Sequence, residues 1–423
     1  MGSAILKRDA KARFATSLAA HDVVPAAAGA PVPLAKSKLD LAATGTIELS
    51  VYDDMAGLRD EWDDIVSRAP SSLYQSYDWV ESWSRHAGRG AKMDPRIVVG
   101  RKRGEVLFIL PLSIYRRGIY RMVSYLSDTH SNFCMGLFDK DLIPRLTSAD
   151  MKALVAEMAD LLAPVDVLEF CCQPVSWDAT TNPFALLRWQ ESHNLGYALS
   201  LEGGFDAALN RRNGSRKRKK FRSQTNKLKS VGGGHLRIAS TPDEVNWFMD
   251  TAMDLTAKRF DKAGIWNTFE NEGVVPFFRE LATASLGQDE PALLIYGLEI
   301  DGELRAVFAG GILNGQFHGC FTAIADDAYT AISPGEMLIY LVIEDCVKRG
   351  LHTFDLGRGE ERYKTSWCDQ RLAMFETNIA LKRTALGYTS YVQAKLFAKR
   401  LMRSNPKLWT AGKRLRARLY GRV

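Results

Sequence analysis

The side chains best suited to acid–base chemistry lie in one short segment of the second half of the chain. A predicted apolar strand over 353–356 contains Asp355, and alternation places this carboxylate on the face opposite its two apolar neighbours. An acid within such a strand is costly to bury unless it is paired. We therefore expect Asp355 to function where the strand opens into a glycine-rich loop. The alternative is that Asp355 is tied to Arg358 or Lys364 for structure.

The loop that follows, residues 357–364, combines two glycines with acids, a phenol and cations. Transfer of an acyl group to an amine or hydroxyl requires a base that takes a proton and donors that stabilise the oxyanion. Glu360, or the strand carboxylate, is the expected base, directly or through water, and Tyr363 is the expected proton donor. Arg358 or Lys364 is expected to hold an anionic substrate group. The alternative is a solvated charged loop.

The Ser-Pro-Gly-Glu sequence at 333–336 predicts the start of a helix. Ser333 and Glu336 have the spacing of a capping box, and proline occupies the first helical position. A helix N-terminus presents free N–H groups and a partial positive charge, which suit a phosphate or carboxylate. The alternative is that Ser333 and Glu336 satisfy those N–H groups themselves.

A second polar segment, residues 128–132, follows a predicted strand in the first half. Asp128 and His130 are its candidates for substrate binding, and a plain turn is the alternative. Trp79 and Trp83 have the types needed to line a groove. Their helical spacing instead favours a place in the core.

Both halves of the chain show the same predicted order: strand, two helices, three antiparallel strands, helix, strand. Asp-Gly at 301–302 and Asn-Gly at 314–315 predict tight hairpins in the second half. The shared order predicts two copies of one α+β unit, with mixed, mainly antiparallel sheets flanked by helices. The three central strands are predicted at 96–101, 106–115 and 120–126 in the first half, and at 292–300, 303–313 and 316–323 in the second.

The order of these elements is the core order of the GNAT acyltransferase fold, and two such units with a basic helical insertion resemble the FemAB-like transferases. The segments 333–350 and 353–367 also resemble the CelD family, GNAT-type proteins named for cellulose biosynthesis. The resemblance covers roughly 47–379, and the second half carries most of it. It implies coenzyme A thioester as co-substrate, with Ser333, Gly335, Gly357, Arg358 and Gly359 at its binding site.

One segment departs from the GNAT pattern. GNAT enzymes usually hold the coenzyme A pyrophosphate with an Arg/Gln-x-x-Gly-x-Gly/Ala loop before the capped helix. At 329–335 this chain has Tyr-Thr-Ala-Ile-Ser-Pro-Gly, so that only Gly335 remains of the pattern, and Pro334 lacks an N–H donor.

Charge is concentrated in two segments of a chain that has a net charge of +7 over 423 residues. Ten Lys and Arg lie between Arg211 and Lys229 and twelve lie from Lys382 onward, both without an acid. The remainder has 34 basic against 49 acidic residues, a net charge of −15. The charge therefore does not predict a general nucleic-acid binder.

The basic helix predicted over 210–231 is expected to contact an anionic ligand through Arg216 and Lys220. Coenzyme A phosphates, an acyl carrier protein, tRNA and anionic lipid all stay open as that ligand. In FemAB-like chains that use aminoacyl-tRNA, a helical arm extends from this place. The alternative is a solvated helix that faces the acidic body of the same protein.

The remaining composition excludes several classes of protein. The six cysteines are scattered and no metal-ligand spacing is present, so neither a disulfide framework nor a metal site is predicted. No apolar run of spanning length and no secretory signal is found, so a cytoplasmic location is expected. The basic tail alternates charge with apolar residues, which suits an anionic membrane surface; a helix packed on the domain is the alternative.

The leading hypothesis is an acyltransferase that moves an acyl group from acyl-CoA or a related thioester to an amine or hydroxyl. By resemblance, its setting is bacterial exopolysaccharide, cellulose or cell-envelope synthesis, peripheral at the inner membrane. An aminoacyl-tRNA-dependent transferase and a non-catalytic scaffold of a polysaccharide synthase are the alternatives. The predicted segments are a mobile tail 1–45, a first unit 46–202, a basic insertion 203–234, a second unit 235–381 and a basic amphipathic tail 382–423.

Overall fold

The computed structural model describes residues 31–264 and 266–404, with side chains described to residue 398. Within this part, the chain forms a nine-stranded and a seven-stranded sheet, both flanked by helices. A separate two-stranded hairpin completes the strands. The predicted α+β class with tandem GNAT-like units is confirmed.

The first half contributes most of the nine-stranded sheet. Its central strands form an antiparallel meander, and the crossover through helix α3 returns the chain parallel to the last strand of that meander. The elements are β1 (Ala35–Leu41), β2 (Gly45–Tyr52), α1 (Arg59–Arg68), α2 (Tyr77–Trp83), β3 (Asp94–Lys102), β4 (Glu105–Arg117), β5 (Tyr120–Tyr125), β6 (Leu137–Phe138), α3 (Ser148–Leu161), β7 (Val167–Pro174), β8 (Ser176–Trp177), β9 (Thr180–Thr181), β10 (Gln190–Glu191), β11 (Gly196–Ser200) and α4 (Gly204–Asn210).

The second half repeats the order. Both predicted hairpin dipeptides adopt positive φ at each residue, so the two turns have the conformation for which Asp-Gly and Asn-Gly are suited. The elements are α5 (Gly214–Leu228), β12 (Gly234–Ile238), α6 (Pro242–Ala263), α7 (Val274–Ala284), β13 (Leu294–Ile300), β14 (Glu303–Leu313), β15 (Gln316–Ile324), α8 (Pro334–Lys348), β16 (Thr353–Arg358), α9 (Arg362–Trp367), β17 (Gln370–Leu372), β18 (Met374–Ala380) and α10 (Leu386–Ser404).

The two sheets exchange strands, which the predicted boundaries 46–202 and 235–381 do not allow. Strand β11 comes from the first segment but pairs antiparallel with β16 and β17 of the second sheet. Strand β18 comes from the second segment but pairs antiparallel with β7 of the first sheet. The segment boundaries are therefore wrong as sheet boundaries, because strand pairing follows free sheet edges rather than sequence order.

The predicted tail 1–45 is wrong for the residues of β1. This strand pairs antiparallel with β2 from Ala35↔Val51 to Leu41↔Gly45. Its alternating sequence turns Leu39 and Leu41 inward, where both are buried, and leaves the lysines in solvent. Residues 1–30 lie outside the described part of the chain.

One apolar core joins the two halves. Its buried residues run from Leu39 on β1 to Phe375 on β18. Trp79 and Trp83 of α2 are buried, as their helical spacing predicted, and the Trp79 ring contacts Phe277 of α7 edge-on at 5.1 Å. Helix α2 of the first half therefore packs on helix α7 of the second, which fixes the two units against each other.

Candidate active site

The centre of the candidate site is the point where the parallel strands β15 and β16 separate. Their pairing includes Phe317↔Phe354 and ends at His318↔Asp355. Beyond it, the carbonyl oxygen of Gly319 accepts hydrogen bonds from the Tyr74 hydroxyl at 3.1 Å and the Asn132 amide at 2.9 Å. Two first-half side chains thus satisfy a carbonyl that a continued ladder would have used, at the point where the two strands separate.

His318 and Asp355 form a buried pair at this point. Nδ1 of His318 lies 3.6 Å from Oδ2 of Asp355, and the His318 side chain has no exposed surface. Oδ1 of Asp355 accepts the Gly357 N–H at 2.8 Å. Oδ2 and both ring nitrogens lack a hydrogen-bond partner among the described residues. The Asp355 carboxylate thus accepts a backbone N–H and lies beside His318, and it forms no ion pair with Arg358 or Lys364 among the described residues, so the expected tie to them is wrong.

The glycine loop after β16 is shaped by close contact with the first half. Gly357 and Gly359 have φ of 74° and 104°. A Cβ at Gly357 would collide with the side-chain amide of Asn132. Glycine is therefore required at 357 by both the backbone conformation and the approach of Asn132.

Arg358 points from this loop into the first half. Its guanidinium donates to Sγ of Cys172, and the nearby Asp128 carboxylate and the thiols of Cys134 and Cys171 interact with it electrostatically. Strand β7 has a bulge here, and Cys172 has a φ of 58°. This backbone geometry changes the direction of the Cys172 side chain, which contacts Arg358. Because Arg358 is engaged with the first half, its predicted role in holding a coenzyme A phosphate has no support from this geometry.

The other loop residues divide between interior and rim. Nζ of Lys364 is buried and bonds the Arg358 carbonyl oxygen at 2.5 Å and the Glu361 carboxylate at 3.0 Å, which closes the loop. Glu360 is exposed at the rim. Tyr363 is half-buried, and burial, followed by the nearby Glu361 charge, raises its pKa. The Tyr363 phenol therefore stays protonated at neutral pH, as a proton donor requires.

The predicted substrate-binding residues of the first half face the same region. His130 and Asp128 both lie within electrostatic range of Arg358. Burial raises the pKa of Asp128 and lowers that of His130 to about 4. The loop between β5 and β6 therefore brings a carboxylate and a neutral imidazole close to Arg358 of the second unit.

Three residues of this site were missed by the sequence analysis: Tyr74, Asn132 and His318. Their only sequence signals were the presence of Asn132 in the predicted polar segment 128–132 and of His318 in a predicted strand. Their proximity depends on the register of β15 with β16 and on contact between the halves.

The start of α8 differs from the predicted capping box. Ser333 has a φ of 60° and its side chain makes no capping hydrogen bond. The Glu336 carboxylate instead pairs with Lys220 of α5, and Gln224 donates to the carbonyl oxygens of Ile332 and Ser333. Lys220 of α5 thus engages both the Ser333 hydroxyl and the Glu336 carboxylate, the two groups that the predicted capping box needs, and the prediction of a capping box is wrong for this reason.

Two further residues near the start of α8 were predicted to bind a ligand, Gly335 and Arg216. A Cβ at Gly335 would collide with the Ile324 side chain, so the glycine allows α8 to approach the end of β15. Arg216 is exposed on α5. Lys220, Ser333 and Gly335 therefore meet at one helix start, whereas Arg216 lies on the solvent side of the same basic helix.

No group of three or more His, Cys, Asp or Glu side chains within the described ranges is arranged to hold a metal ion. Among the helices described, none combines the length and apolar character needed to cross a bilayer.

Comparison with known proteins places this geometry in a known fold. Residues 215–365 match the family model described as "Acetyltransferase (GNAT) domain". A solved structure described as FemX has a TM-score of 0.53 at 11% identity, covering 75% of this chain and 95% of its own. A conserved protein of unknown function from Bacteroides thetaiotaomicron has a TM-score of 0.51 at 15% identity, covering 77% and 98%.

No curated protein matches the chain. At these identities the two structures show the fold alone. Together with the family match, they establish a GNAT acetyltransferase-like domain within a GNAT-like acyltransferase fold, as the resemblance implied at that level.

Proposed function

We propose that this protein transfers an acyl group from a thioester to an amine or hydroxyl acceptor. The observation that carries the proposal is the separation of β15 and β16 after His318↔Asp355, on the side of the sheet where α8 begins beside the end of β15. Beyond this pair the two strands no longer pair with each other, and we propose that a thioester lies between them with its phosphate toward the α8 N-terminus. The GNAT domain match over the same elements supports this use.

The chemical step assigns a role to each side of the cleft. The acceptor nitrogen or oxygen forms a bond to the acyl carbon, and the C–S bond breaks. Asp128, whose raised pKa makes it a stronger base than an ordinary aspartate, receives the acceptor proton. Tyr363 donates its phenolic proton to the leaving thiolate and regains one from solvent, to which Asp128 releases the proton it took from the acceptor. Asp355 is a positioning residue that holds the loop through the Gly357 N–H.

The other predicted site residues position the loop or bind substrate and take no part in the proton transfers. Lys364 fixes the loop through the Arg358 carbonyl oxygen, and exposed Glu360 contacts the acceptor at the rim. His130 and Arg358 line the acceptor side, whereas Ser333, Gly335 and Lys220 lie on the donor side.

A thiol-release assay tests the proposal. Acetyl-CoA and longer acyl-CoA thioesters are offered with panels of amines and sugar hydroxyls, and free thiol is followed with a colorimetric reagent. We expect release that depends on the acceptor and that falls at least roughly tenfold in Asp128→Asn. Asp141→Asn, an exposed aspartate of the first half, is the matched control. Acceptor-independent hydrolysis, or no release from any thioester, would overturn the proposal.

We also propose the setting that the CelD resemblance implies, namely exopolysaccharide, cellulose or cell-envelope synthesis at a membrane surface. Helix α10 supports the surface contact, since it exposes 62% of Tyr391 and 67% of Phe397. Thr389 of the same helix is buried against the protein. The segment from residue 382 onward carries twelve cations and no acid, which favours an anionic surface.

A further inference from the structure

Helix α5 has a face that is fixed to the second unit. Phe221 stacks on Tyr340 of α8 with ring centroids 4.0 Å apart and planes 9° from parallel. Gln224 and Leu228 are buried on the same side. Lys217 reaches the Ser366 carbonyl oxygen at 2.9 Å. The rotation of the helix about its axis is therefore set, and the opposite side must face solvent.

The solvent side carries a set of cations that we call the cationic face: Arg216, Lys219, Arg222 and Lys227. All four are exposed, and none forms an ion pair or hydrogen bond within the described ranges. Their spacing of three to five residues keeps them on the outward half of the helix, along roughly 16 Å. An array of unpaired like charges creates a positive potential that attracts an external anion.

Other cations of α5 form ion pairs with acidic residues of the protein, in contrast to the four cations of the cationic face. Arg218 bonds Asp206 at 3.0 Å, and Lys220 pairs with Glu336. The acidic body of the protein therefore neutralises only part of the helix. The alternative that α5 simply faces this acidic body does not account for the cationic face.

The adjacent donor end of the site is poorly suited to several phosphates. Pro334 lacks an N–H, Ser333 has the left-handed conformation, and the Glu336 carboxylate lies at the α8 start. Coenzyme A brings a diphosphate and a 3′-phosphate, whereas a phosphopantetheine arm on a protein brings one phosphodiester. Pro334 has no N–H to offer, and the N–H groups of Glu336 and Met337 already donate to the Ser333 carbonyl oxygen, which favours the ligand with fewer phosphates.

We propose that the acyl donor is a small acidic carrier protein whose phosphopantetheine arm enters between β15 and β16 while an acidic helix docks on the cationic face. This inference rests on the proposed function and names its donor. Electrostatic complementarity of this kind raises the rate and selectivity of docking. The cationic face exposes no aromatic ring for base stacking, because Phe221 is occupied by Tyr340, and this favours a protein over single-stranded RNA.

The test compares one acyl group on three donors: an acyl carrier protein, coenzyme A and pantetheine. Lys219→Glu with Arg222→Glu reverses the centre of the cationic face. Lys36→Glu with Lys38→Glu on β1 makes the same change in net charge at exposed positions of the first half. We expect the first pair to raise KM for the carrier roughly tenfold or more, with kcat unchanged, and to leave acyl-pantetheine kinetics unaltered. The β1 pair should change neither.

The possible results distinguish failure of the carrier-protein inference from failure of the proposed acyl transfer. If acyl-CoA and acyl-pantetheine are used but the carrier has no advantage, or if the reversal affects all donors equally, the carrier inference fails and acyl transfer stands. If mixed tRNA binds with an affinity that the reversal abolishes and competes with the carrier, RNA is the partner instead. If no thioester is used, the proposed function itself fails.

Discussion

The proton on the His130 ring is assigned by its neighbours. The indole N–H of Trp83 donates to Nδ1 of His130 at 3.0 Å, so the neutral ring carries its proton on Nε2. Burial, and then the Arg358 charge, lowers the pKa of His130 to about 4. Nε2 has no partner among the described residues. At neutral pH, His130 is therefore a hydrogen-bond donor through Nε2 rather than a base.

The lowered pKa of His130 predicts a pH dependence of stability. The unfolded chain binds a proton near the usual pKa of 6.5, whereas the folded protein resists protonation until about pH 4. Stability is therefore full above pH 6.5 and is lost as the pH falls toward 4. At pH 5 we expect His130 to account for about 2 kcal/mol of this loss. Chemical denaturation at pH 7 and pH 5 measures it.

His130→Asn retains an acceptor for the Trp83 indole and removes the titration, so the loss between the two pH values should shrink by that amount. His235→Asn, at an exposed position on β12, is the matched control. An unchanged pH dependence in His130→Asn would contradict the assignment.

Tyr363→Phe tests the leaving-group proton. The ring and its packing remain, but the phenolic donor is lost, so we expect kcat to fall roughly 100-fold with little change in KM for the thioester. A thioester with a more acidic thiol should recover part of the rate, since its thiolate leaves without a proton. Steady-state measurement of kcat and KM with both thioesters, for the wild-type protein and Tyr363→Phe, tests this expectation. Equal losses with the two leaving groups would show that Tyr363 serves packing.

At the scale of elements, helix α10 presents two unlike sides. Thr389 is buried on the first unit, as is Ala385 just before the helix, and Tyr388 packs beside Tyr120 at 5.0 Å between ring centroids. Tyr391 and Phe397 face outward near the exposed Lys395. An aromatic and basic surface of this kind favours the headgroup region of an anionic bilayer. One side of the helix thus packs on the domain, as the alternative interpretation of the basic tail predicted, and contact of the other side with a membrane stays a prediction.

We expect the full chain to sediment with phosphatidylglycerol vesicles and not with phosphatidylcholine vesicles. Tyr391→Ser with Phe397→Ser should weaken this binding roughly tenfold, because two exposed aromatic side chains no longer enter the interface. Val32→Ser with Ile119→Ser removes two other exposed apolar side chains as a control. Equal binding to both kinds of vesicle would argue against the surface contact.

At the scale of the whole molecule, the strand exchange makes the two units one folding unit. Strand β11 lies between β16 and β17, and β18 lies between β7 and β10. Neither sheet is complete without residues from the other half, and one apolar core runs through both. Domain motion by simple hinge bending is therefore opposed by backbone hydrogen bonds as well as by packing, which keeps the cleft in register.

This exchange predicts a single cooperative unfolding transition. Phe375 is fully buried on β18, in the sheet of the other half, and Phe375→Ala should cost about 3–5 kcal/mol through the cavity it leaves. Calorimetry should show one transition shifted to lower temperature, with equal calorimetric and van't Hoff enthalpies. Arg371→Ala, at an exposed position on β17, should shift it little. Two transitions, of which only one moves, would refute the single unit.

The sequence by itself determined the elements of this protein. Hairpin dipeptides, alternation and apolar periodicity report on neighbours along the chain, so they predicted β13–β15, the repeat of the order and the buried Trp79 and Trp83. They also located the polar segments that meet at the cleft, including Asp128 and Asp355.

Tertiary structure decided which of these residues act together. Pairing of His318 with Asp355 depends on a parallel register, and Asn132 and Tyr74 reach Gly319 only because the halves pack together. The swap of β11 and β18, the engagement of Arg358 with Cys172 and the contacts of α5 with the start of α8 have the same origin. Contacts between residues distant in sequence leave no periodic trace in the chain, since their free energy is gained only after the fold has closed.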